Sequence, residues 1–472
     1  MKSVQVTVTS QVTVTFSAQI LYMSLRLLQY AVTSITWICP KVESLPARRC
    51  IKGLSSAHGK LTRMSSKART VFLSLAGIFL LAILLYQIPA VKSRLEWRLD
   101  VLQVYVKNVI DPVGPVPTAL PVVEIPVTPT AATPTPIAQS MPTLTPTATF
   151  APLPAQAAIK SPVYEKQTAN NCGPATLSMA LHLYGWEGNQ ADISNLVKPI
   201  SGDRNVNPEE LRYYVRTQAG WLNLEYRVGG NIETLKRLLA ANYPVIVETV
   251  TALDPGDALG PGDDLWAAHY LLVTAYDDST QQFTVQDSYH GPDLTVSYSQ
   301  LEQDWKPFNN VYLLMYFPQF EEEIKTLLGS DWDPDLNRQR VLAHAESSIS
   351  NPSADSFDWF NYGSNLVYFE RYEEAARVYD KARELGLPLR MFRYQFGPFL
   401  AYFHSNRNDD LLALTNYALG VTEKSEETWL WYGYGLYRKG DYEGALKAWQ
   451  KADAINPNFY EDQARKAMQL VQ

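Results

Sequence analysis

Residues 167–185, QTANNCGPATLSMALHLYG, place a cysteine at the start of a predicted helix. Gly and Pro follow Cys172, and the apolar residues beyond them recur with a helical period. At a helix N-terminus, unpaired amide N–H groups and the helix dipole favour the nucleophilic thiolate. Gln167, five residues earlier, is spaced to offer a side-chain amide to an oxyanion developing beside the Cys172 N–H. A single cysteine in a helix is more often a buried apolar residue, so a catalytic role depends on its partners.

Two candidate partners follow about a hundred residues later. LWAAHYLLVTAYDD, residues 265–278, is typical of a buried strand and contains His269. FTVQDSYHG, residues 283–291, predicts the next strand, which ends at Asp287. Adjacent strands of a hairpin can place both side chains on one face. Because an activated nucleophile needs a base and a group that orients the base, Cys172, His269 and Asp287 predict a catalytic triad.

Other polar residues near these strands have simpler interpretations. His290 is an alternative to His269, but it lies beyond the predicted strand, after Asp287. DPGDALGPGDD, residues 254–264, groups acids and glycines as calcium loops do, yet it lacks the ligand spacing of such loops. We therefore interpret it as a solvated loop beside the mouth of the active site. The three cysteines of the chain have no zinc-ligand spacing, and we predict neither a metal nor a cofactor.

These motifs resemble those of papain-like cysteine peptidases of the bacteriocin-processing, double-glycine-leader type. The matching features are Q-x4-CGPA at 167–175, IETLKRLLAANYPVIVE at 232–248, AAHYLLVTAYDD at 267–278 and VQDS at 285–288. The resemblance covers residues 161–318 and implies an α+β papain-like peptidase domain. In that fold a helical half carries Cys172, and a sheet half carries His269 and Asp287. Gln167 corresponds to the residue that stabilises the oxyanion.

The sequence departs from the family pattern at two positions. Asn171 stands where an acid often precedes the cysteine, and Asn242 stands where a glycine often precedes the buried strand. Neither position is one of the four expected to carry the chemistry. The chain has no G-x4-GK[ST] motif, so the resemblance does not extend to the peptidase arm of an ATP-driven transporter.

The C-terminal part of the chain repeats itself. Two segments align without gaps, WFNYGSNLVYFERYEEAARVYDKARELGLP at 359–388 and WLWYGYGLYRKGDYEGALKAWQKADAINP at 429–457. Their shared large, Gly, aromatic and Ala positions match the tetratricopeptide pattern, and Gly397 fits a degenerate middle repeat. We predict that residues 330–472 form an all-α tetratricopeptide solenoid of three helix pairs. Its concave face is expected to bind a protein partner, or the solenoid is a structural lid or dimerisation block for the peptidase.

Charge divides the chain into a basic start and an acidic body. The first 110 residues contain 14 Lys and Arg against 3 Asp and Glu, whereas the rest contain 27 against 45. This split excludes a uniformly basic nucleic-acid-binding protein. Residues 70–91 are uncharged and mostly apolar, and a helix of that length spans a hydrocarbon core of roughly 30 Å. We predict a single transmembrane helix there, with the basic segment 1–69 inside, and a cleaved signal peptide is the alternative.

The segments around this helix carry three further predictions. MSSKARTVFLSL begins at Met64 as a membrane anchor usually does, so we expect translation to start there and residues 1–63 to be a mis-called start. Residues 92–110 predict a short juxtamembrane helix. Residues 111–160 hold 12 of the 30 prolines, and they predict a semi-extended linker without packed elements.

Together these features predict a membrane-anchored, extracytoplasmic cysteine peptidase that cleaves peptide or protein substrates. The cell membrane holds it through residues 70–91, with the catalytic and repeat domains outside. Two alternatives remain open. One is a catalytically silent, peptidase-like binding module or surface adaptor that acts through its repeats. The other is acyl transfer instead of hydrolysis, which would use the same residues.

Overall fold

A computed structural model describes residues 67, 74, 77, 81, 83–110, 112–121, 152–200, 202–203, 205–260 and 262–471. The predicted start at Met64, ten of the 22 residues of the predicted membrane helix 70–91 and the middle of the predicted linker lie outside these residues. Within the described part, no helix has both the length and the apolar character needed to cross a membrane. The chain divides into two compact units, 1–89 and 90–472. The fold described below is that of the second unit, and its first helix, α1, is Pro89–Ile110.

An α+β region spans residues 152–328 and combines one sheet with six helices. The strands are β1 (Gln156–Ala158), β2 (Asn223–Arg227), β3 (Val245–Ala252), β4 (Trp266–Asp277), β5 (Gln282–Asp287), β6 (Gly291–Ser297) and β7 (Tyr312–Tyr316). The helices are α2 (Cys172–His182), α3 (Gln190–Val197), α4 (Pro208–Gln218), α5 (Ile232–Ala240), α6 (Tyr298–Trp305) and α7 (Glu321–Leu328). Asn189 and Asn207 start α3 and α4 with capping boxes, in which each asparagine bonds to the third residue of its helix. The predicted α+β architecture is therefore confirmed.

The sheet is antiparallel throughout, in the order β2-β7-β3-β4-β5-β6. Side chains alternate between its faces, so Ile246 joins a core with α2, α3 and α4, while Val245 and Val247 join a second core with α5, α6 and α7. Both faces of the central strands are thus covered, which explains their nearly continuous apolar sequence. β1 pairs with the end of β4, so the sheet begins inside the range that the sequence analysis assigned to the linker.

A helical region, residues 334–468, follows. Its helices are α8 (Pro334–Ile349), α9 (Ser356–Tyr368), α10 (Tyr372–Leu385), α11 (Gly397–His404), α12 (Asn408–Val421), α13 (Glu426–Arg438), α14 (Tyr442–Ile455) and α15 (Pro457–Met468). The repeat glycines lie where neighbouring aromatic rings leave no room for a Cβ, Gly363 against Tyr379 and Gly433 against Trp449. A C-terminal helical region is confirmed, and its assignment as a tetratricopeptide solenoid stays a prediction.

The helical region packs directly on the α+β region. Lys306 donates to the carboxylates of Asp355 and Asp358, each at 2.9 Å, at the start of α9. Trp266, the first residue of β4, stacks on Phe357 of α9 with ring centroids 6.5 Å apart. The helical region is therefore an integral wall of the folded unit.

The described start of the predicted linker, residues 112–121, also packs on the helical region. Val116 is buried in the core of that region. The carbonyl oxygen of Pro117 accepts a hydrogen bond from Arg383 Nε at 2.8 Å, and the N–H of Leu120 donates to Asp410 Oδ1 at 3.0 Å. Proline has no backbone N–H to donate, but this contact uses the carbonyl oxygen of Pro117, so the missing donor does not weaken it.

Candidate active site

Cys172 is the first residue of α2, as the sequence predicts, and its side chain is half-buried. The next nine residues of α2 are buried, because this helix runs through the core between α3, α4 and the sheet. Thr176 Oγ1 donates to the carbonyl oxygen of Tyr270 at 3.1 Å and so fixes α2 against β4. The cysteine is therefore held at a helix N-terminus, directly beside the strand that carries the histidine.

His269 and Asp287 meet through the register of β4 and β5. Asp287 pairs with Leu271, and His269 lies two residues before Leu271 on the same face of β4. This diagonal position brings His269 Nε2 within 2.7 Å of Asp287 Oδ1. The histidine ring is 3% exposed, so the contact is sheltered from water.

The other ring nitrogen of His269, Nδ1, is available to Cys172. Because Asp287 takes Nε2, Nδ1 is left to hydrogen bond with the thiol. Burial alone would raise the pKa of the Cys172 thiol, but its hydrogen bond to His269 and the charge of that ring lower it below its usual value. Burial would lower the pKa of His269, yet its hydrogen bonds to Asp287 and Cys172 raise the pKa to about 9. Both shifts favour a thiolate paired with an imidazolium.

Asp287 is held as a carboxylate by more than His269. Burial would raise the pKa of this carboxyl, but its hydrogen bond with His269 keeps the pKa well below the usual value. The N–H groups of Tyr289 and His290 donate to Oδ1 at 2.8 and 3.0 Å. His290 Nδ1 lies 2.7 Å from the other oxygen, Oδ2, and its ring is half-exposed. His290 thus contacts the far side of Asp287, while His269 faces the cysteine.

Gln167 lies in the same cavity as Cys172 and His269. Its backbone N–H donates to the carbonyl oxygen of Ser288 at 2.8 Å, and its Oε1 accepts from Ser288 Oγ at 2.8 Å. With Oε1 occupied, the amide N–H₂ is the end left for a substrate oxygen. The structure therefore brings together all four residues singled out from the sequence, and their catalytic roles stay a prediction.

Two polar residues organise the loop before the cysteine, Gln190 at the start of α3 and Lys198 directly after its end. Gln190 Oε1 accepts from the N–H of Thr168 at 2.7 Å and from Asn171 Nδ2 at 3.2 Å, and its Nε2 donates to Glu165 at 2.9 Å. Lys198, 4% exposed, donates to the carbonyl oxygen of Asn170 at 2.7 Å. Sequence reasoning missed both, because a glutamine and a lysine at the two ends of a short helix carry no motif.

The loop 254–264 differs from the solvated loop expected from its composition. Asp263 is buried and forms a two-pronged ion pair with Arg390 of the helical region. Burial would raise the pKa of Asp263, but its hydrogen bond with Arg390 lowers it. In the described part of the chain, no cluster of three or more His, Cys, Asp and Glu side chains is arranged to hold a metal ion.

The cavity that Cys172 and His269 line has a volume of about 340 Å³. From the α+β region it is lined by Gln167, Cys172 and His269 with the ends of β3 and β4. Arg98 of α1 lines it as well, together with Arg393 and Tyr394 of the helical region. The cavity therefore lies between three parts of the fold and opens directly onto the thiol.

Comparison with known proteins identifies a family for part of the chain. Residues 158–313, about a third of the chain, match the model of the Peptidase_C39 like family. No curated protein sequence matches this chain. The family match suggests a cysteine peptidase.

Three solved structures are similar to about the same third of the chain. A C39-like peptidase from Bacillus anthracis is 16% identical, with 34% of this chain and 97% of that one covered and a TM-score of 0.28. A double glycine motif protease from an AMS/PCAT transporter, solved with its leader peptide, is 15% identical, with 34% and 93% covered and a TM-score of 0.25. The peptidase domain of Streptococcus ComA, a bi-functional ABC transporter of a quorum sensing pathway, is 15% identical, with 33% and 97% covered and a TM-score of 0.25.

Proposed function

We propose that this protein is a cysteine peptidase that hydrolyses peptide or protein substrates. One observation carries the proposal: Cys172 and His269 line the same open cavity, and His269 Nε2 is held 2.7 Å from Asp287 Oδ1. A structural cysteine would not need a buried imidazole whose second nitrogen is fixed by a carboxylate. The match of residues 158–313 to a peptidase family supports the same conclusion.

The geometry suggests the order of bond changes. The Cys172 thiolate attacks the scissile carbonyl carbon, and the negative charge moves to the carbonyl oxygen. The Cys172 N–H and the Gln167 amide donate to this oxyanion. The His269 imidazolium gives its proton to the leaving nitrogen as the C–N bond breaks, which leaves a thioester on Cys172.

A water molecule completes the cycle. Neutral His269 takes a proton from the water as its oxygen attacks the thioester carbonyl. The C–S bond then breaks, which releases the carboxylic acid product and restores the thiolate and the imidazolium. Asp287 keeps the imidazole oriented throughout and stabilises its charged form.

Two parts of the proposal concern location and partners. Residues 70–91 are proposed to anchor the chain in the cell membrane, with the N-terminus inside and the peptidase and helical region outside, on the strength of their apolar sequence and the flanking basic residues. A protein partner of the helical region would bind a face other than the one packed on the α+β region.

A catalytically silent binding module is the second candidate function. Acyl transfer would use the same residues and would differ from hydrolysis in its products.

Alkylation of the thiol tests the central claim without knowledge of the substrate. We expect iodoacetamide to modify Cys172 in the full chain at pH 6–7 much faster than it modifies glutathione, because the pKa of the thiol is lowered. Mass spectrometry of the peptide that contains Cys172 gives the rate at each pH. Peptide cleavage by the wild type and by C172A, compared on a library of synthetic peptides, tests catalysis. An ordinary thiol profile together with no cleavage beyond that of C172A would contradict the proposal.

A further inference from the structure

The segment of the helical region that reaches the catalytic cavity lies between repeats. The connection from α10 to α11 runs over eleven residues, 386–396, and contains a short 3₁₀ turn at Met391–Arg393. The equivalent connection from α12 to α13 has four residues, 422–425. Connections between packed helices usually have about two to eight residues, so this one is longer than packing requires. The extra length here extends this connection to the cavity that contains Cys172.

An ion pair fixes this connection against the strand of the histidine. Arg390 is fully buried, and its Nη1 donates to Asp263 Oδ1 at 2.5 Å while its Nη2 contacts Oδ2. The N–H of Leu389 donates to Asp264 Oδ2 at 2.9 Å. Asp263 and Asp264 lie three and two residues before the start of β4, the strand that contains His269. The connection is therefore held in place relative to the catalytic residues.

Tyr394 is the side chain of the connection that both lines the cavity and is partly exposed. Arg393 and Tyr394 both line the cavity, but Arg393 is buried, whereas Tyr394 is half-buried. The Tyr394 ring packs on Trp266 with ring centroids 5.9 Å apart, and on Phe308 at 6.4 Å. These contacts fix the ring in one orientation, and a fixed aromatic surface beside a nucleophile can select a substrate side chain.

We propose that the connection 386–396 forms one wall of the substrate cleft and that Tyr394 is a specificity-determining residue. The substrate is an extended peptide that places an apolar side chain against the Tyr394 ring while its scissile carbonyl meets Cys172. This inference rests on the proposed peptidase function and adds to it, since the family match ends at residue 313. The helical region is thereby part of the binding site and more than a support for the catalytic domain.

Variants of the full-length protein test this proposal. Each is assayed on a synthetic peptide library, with cleavage sites read by mass spectrometry and C172A as the blank. We expect Y394A to lower kcat/KM on the best wild-type peptide at least about ten-fold, mainly through KM, because an apolar contact of this size discriminates by that order. The rate of Cys172 alkylation by iodoacetamide should stay within about two-fold, since the chemistry of the thiol is untouched.

Conservative variants and a distant tyrosine provide the controls. Y394F keeps the ring and should retain the wild-type kcat/KM and cleavage preference. Y394L keeps the apolar volume and should change the preferred substrate residue even if Y394A proves unstable. Y442A removes a tyrosine that is 56% exposed on α14 and should change neither quantity. Unchanged kcat/KM and preference in folded Y394A or Y394L would overturn the proposal, whereas wild type that cleaves no more than C172A would overturn the peptidase function itself and this inference with it.

Discussion

The α+β region and the helical region both line the catalytic cavity, but they do so in different ways. In the α+β region, Cys172, His269 and Asp287 lie at the end of a helix or on adjacent strands, so regular structure sets their positions. In the helical region, Tyr394 lies in an irregular connection, and an ion pair sets its position. The comparison teaches that the repeated helices provide the packing, whereas the irregular connection 386–396 between two of them provides the contact with the cavity.

The largest effect is expected from replacing His269, the proposed base in the α+β region. In H269Q the thiolate loses its imidazolium partner and the leaving group loses its acid, so we expect peptide cleavage to fall at least about a thousand-fold. The pH profile of Cys172 alkylation should move upward toward that of an ordinary thiol. H344Q, on the exposed surface of α8, serves as the control. An unchanged alkylation profile in H269Q would show that His269 does not activate the cysteine.

The next largest effect is expected when the ion pair between the two regions, Arg390 with Asp263, is broken. R390M leaves the Asp263 carboxylate buried without its partner, and we expect a loss of about 3–5 kcal/mol in the free energy of unfolding. Urea denaturation measures this change. The control R465M removes an arginine that is half-exposed on α15 and should change the free energy little. The double variant R390M/D263N removes the buried charge and keeps one acceptor for the N–H groups of Leu259 and Leu265, so it should recover part of the loss. No recovery would mean that the unpaired charge is not what destabilises R390M.

A group of buried carboxyls joins the same two regions at a second place. Asn456 donates to Glu210 of α4 and to Glu426 of α13, both at 3.0 Å, and Asn207 donates to Glu427 at 3.3 Å. Burial and the negative charge of Asp203 raise the pKa of Glu427 to about 7. Burial and the other carboxylates also raise the pKa of Glu210 and Glu426. Lys198 is buried beside this group, and the charges of Asp203, Glu426 and Glu210 act on it.

This group predicts a pH-dependent stability. Between the unfolded pKa of about 4.3 and the folded pKa of about 7, the folded state binds a proton at Glu427 that the unfolded state has lost. Stability from this residue is therefore complete below about pH 4 and is lost as the pH rises through 7. E427Q should flatten the decline measured by urea denaturation from pH 5 to 8. E443Q, at an exposed position of α14, should leave the decline as in the wild type. If stability declines as much in E427Q as in the wild type, Glu427 is not the residue responsible.

The smallest expected effect concerns the second histidine on Asp287. H290A removes the 2.7 Å contact to Oδ2 but leaves Oδ1 bonded to His269 and to the Tyr289 N–H. We expect kcat to fall less than about ten-fold, because the orientation of His269 depends on Oδ1. H290N, which restores a donor, should recover part of the loss. A fall as large as that of H269Q would mean that His290 belongs to the catalytic set.

The sequence was informative where function follows a local pattern. Cys172 stands at a helix start that Gly and Pro mark, and His269 stands in an apolar strand, so each could be placed without the fold. Their meeting with Asp287 needed only a short hairpin register. The C-terminal helices were equally predictable, since Gly363 and Gly433 repeat with the aromatic residues that pack on them.

The contacts that the sequence did not reveal join residues far apart in the chain. Asp263 and Arg390 are separated by more than a hundred residues, and in an acidic, glycine-rich loop nothing marks one carboxylate as buried. Gln190 and His290 have roles that depend on which backbone atoms fold beside them. The described ends of the predicted linker are similar, because burial of Val116 and pairing of β1 depend on partners supplied by the rest of the fold.

The position of those two ends changes what the linker does. Residues 112–121 are fixed on the helical region and residues 156–158 on the sheet, so residues 122–151 join two points of one folded unit. Such a connection closes a loop, and its length costs little, about 0.6 kcal/mol for each doubling. A chain nicked within it would stay assembled through the contacts of Asn108, Val116 and Pro117. The proline-rich stretch therefore does not set how far the catalytic site stands from α1, and lengthening or cutting it would leave that distance unchanged.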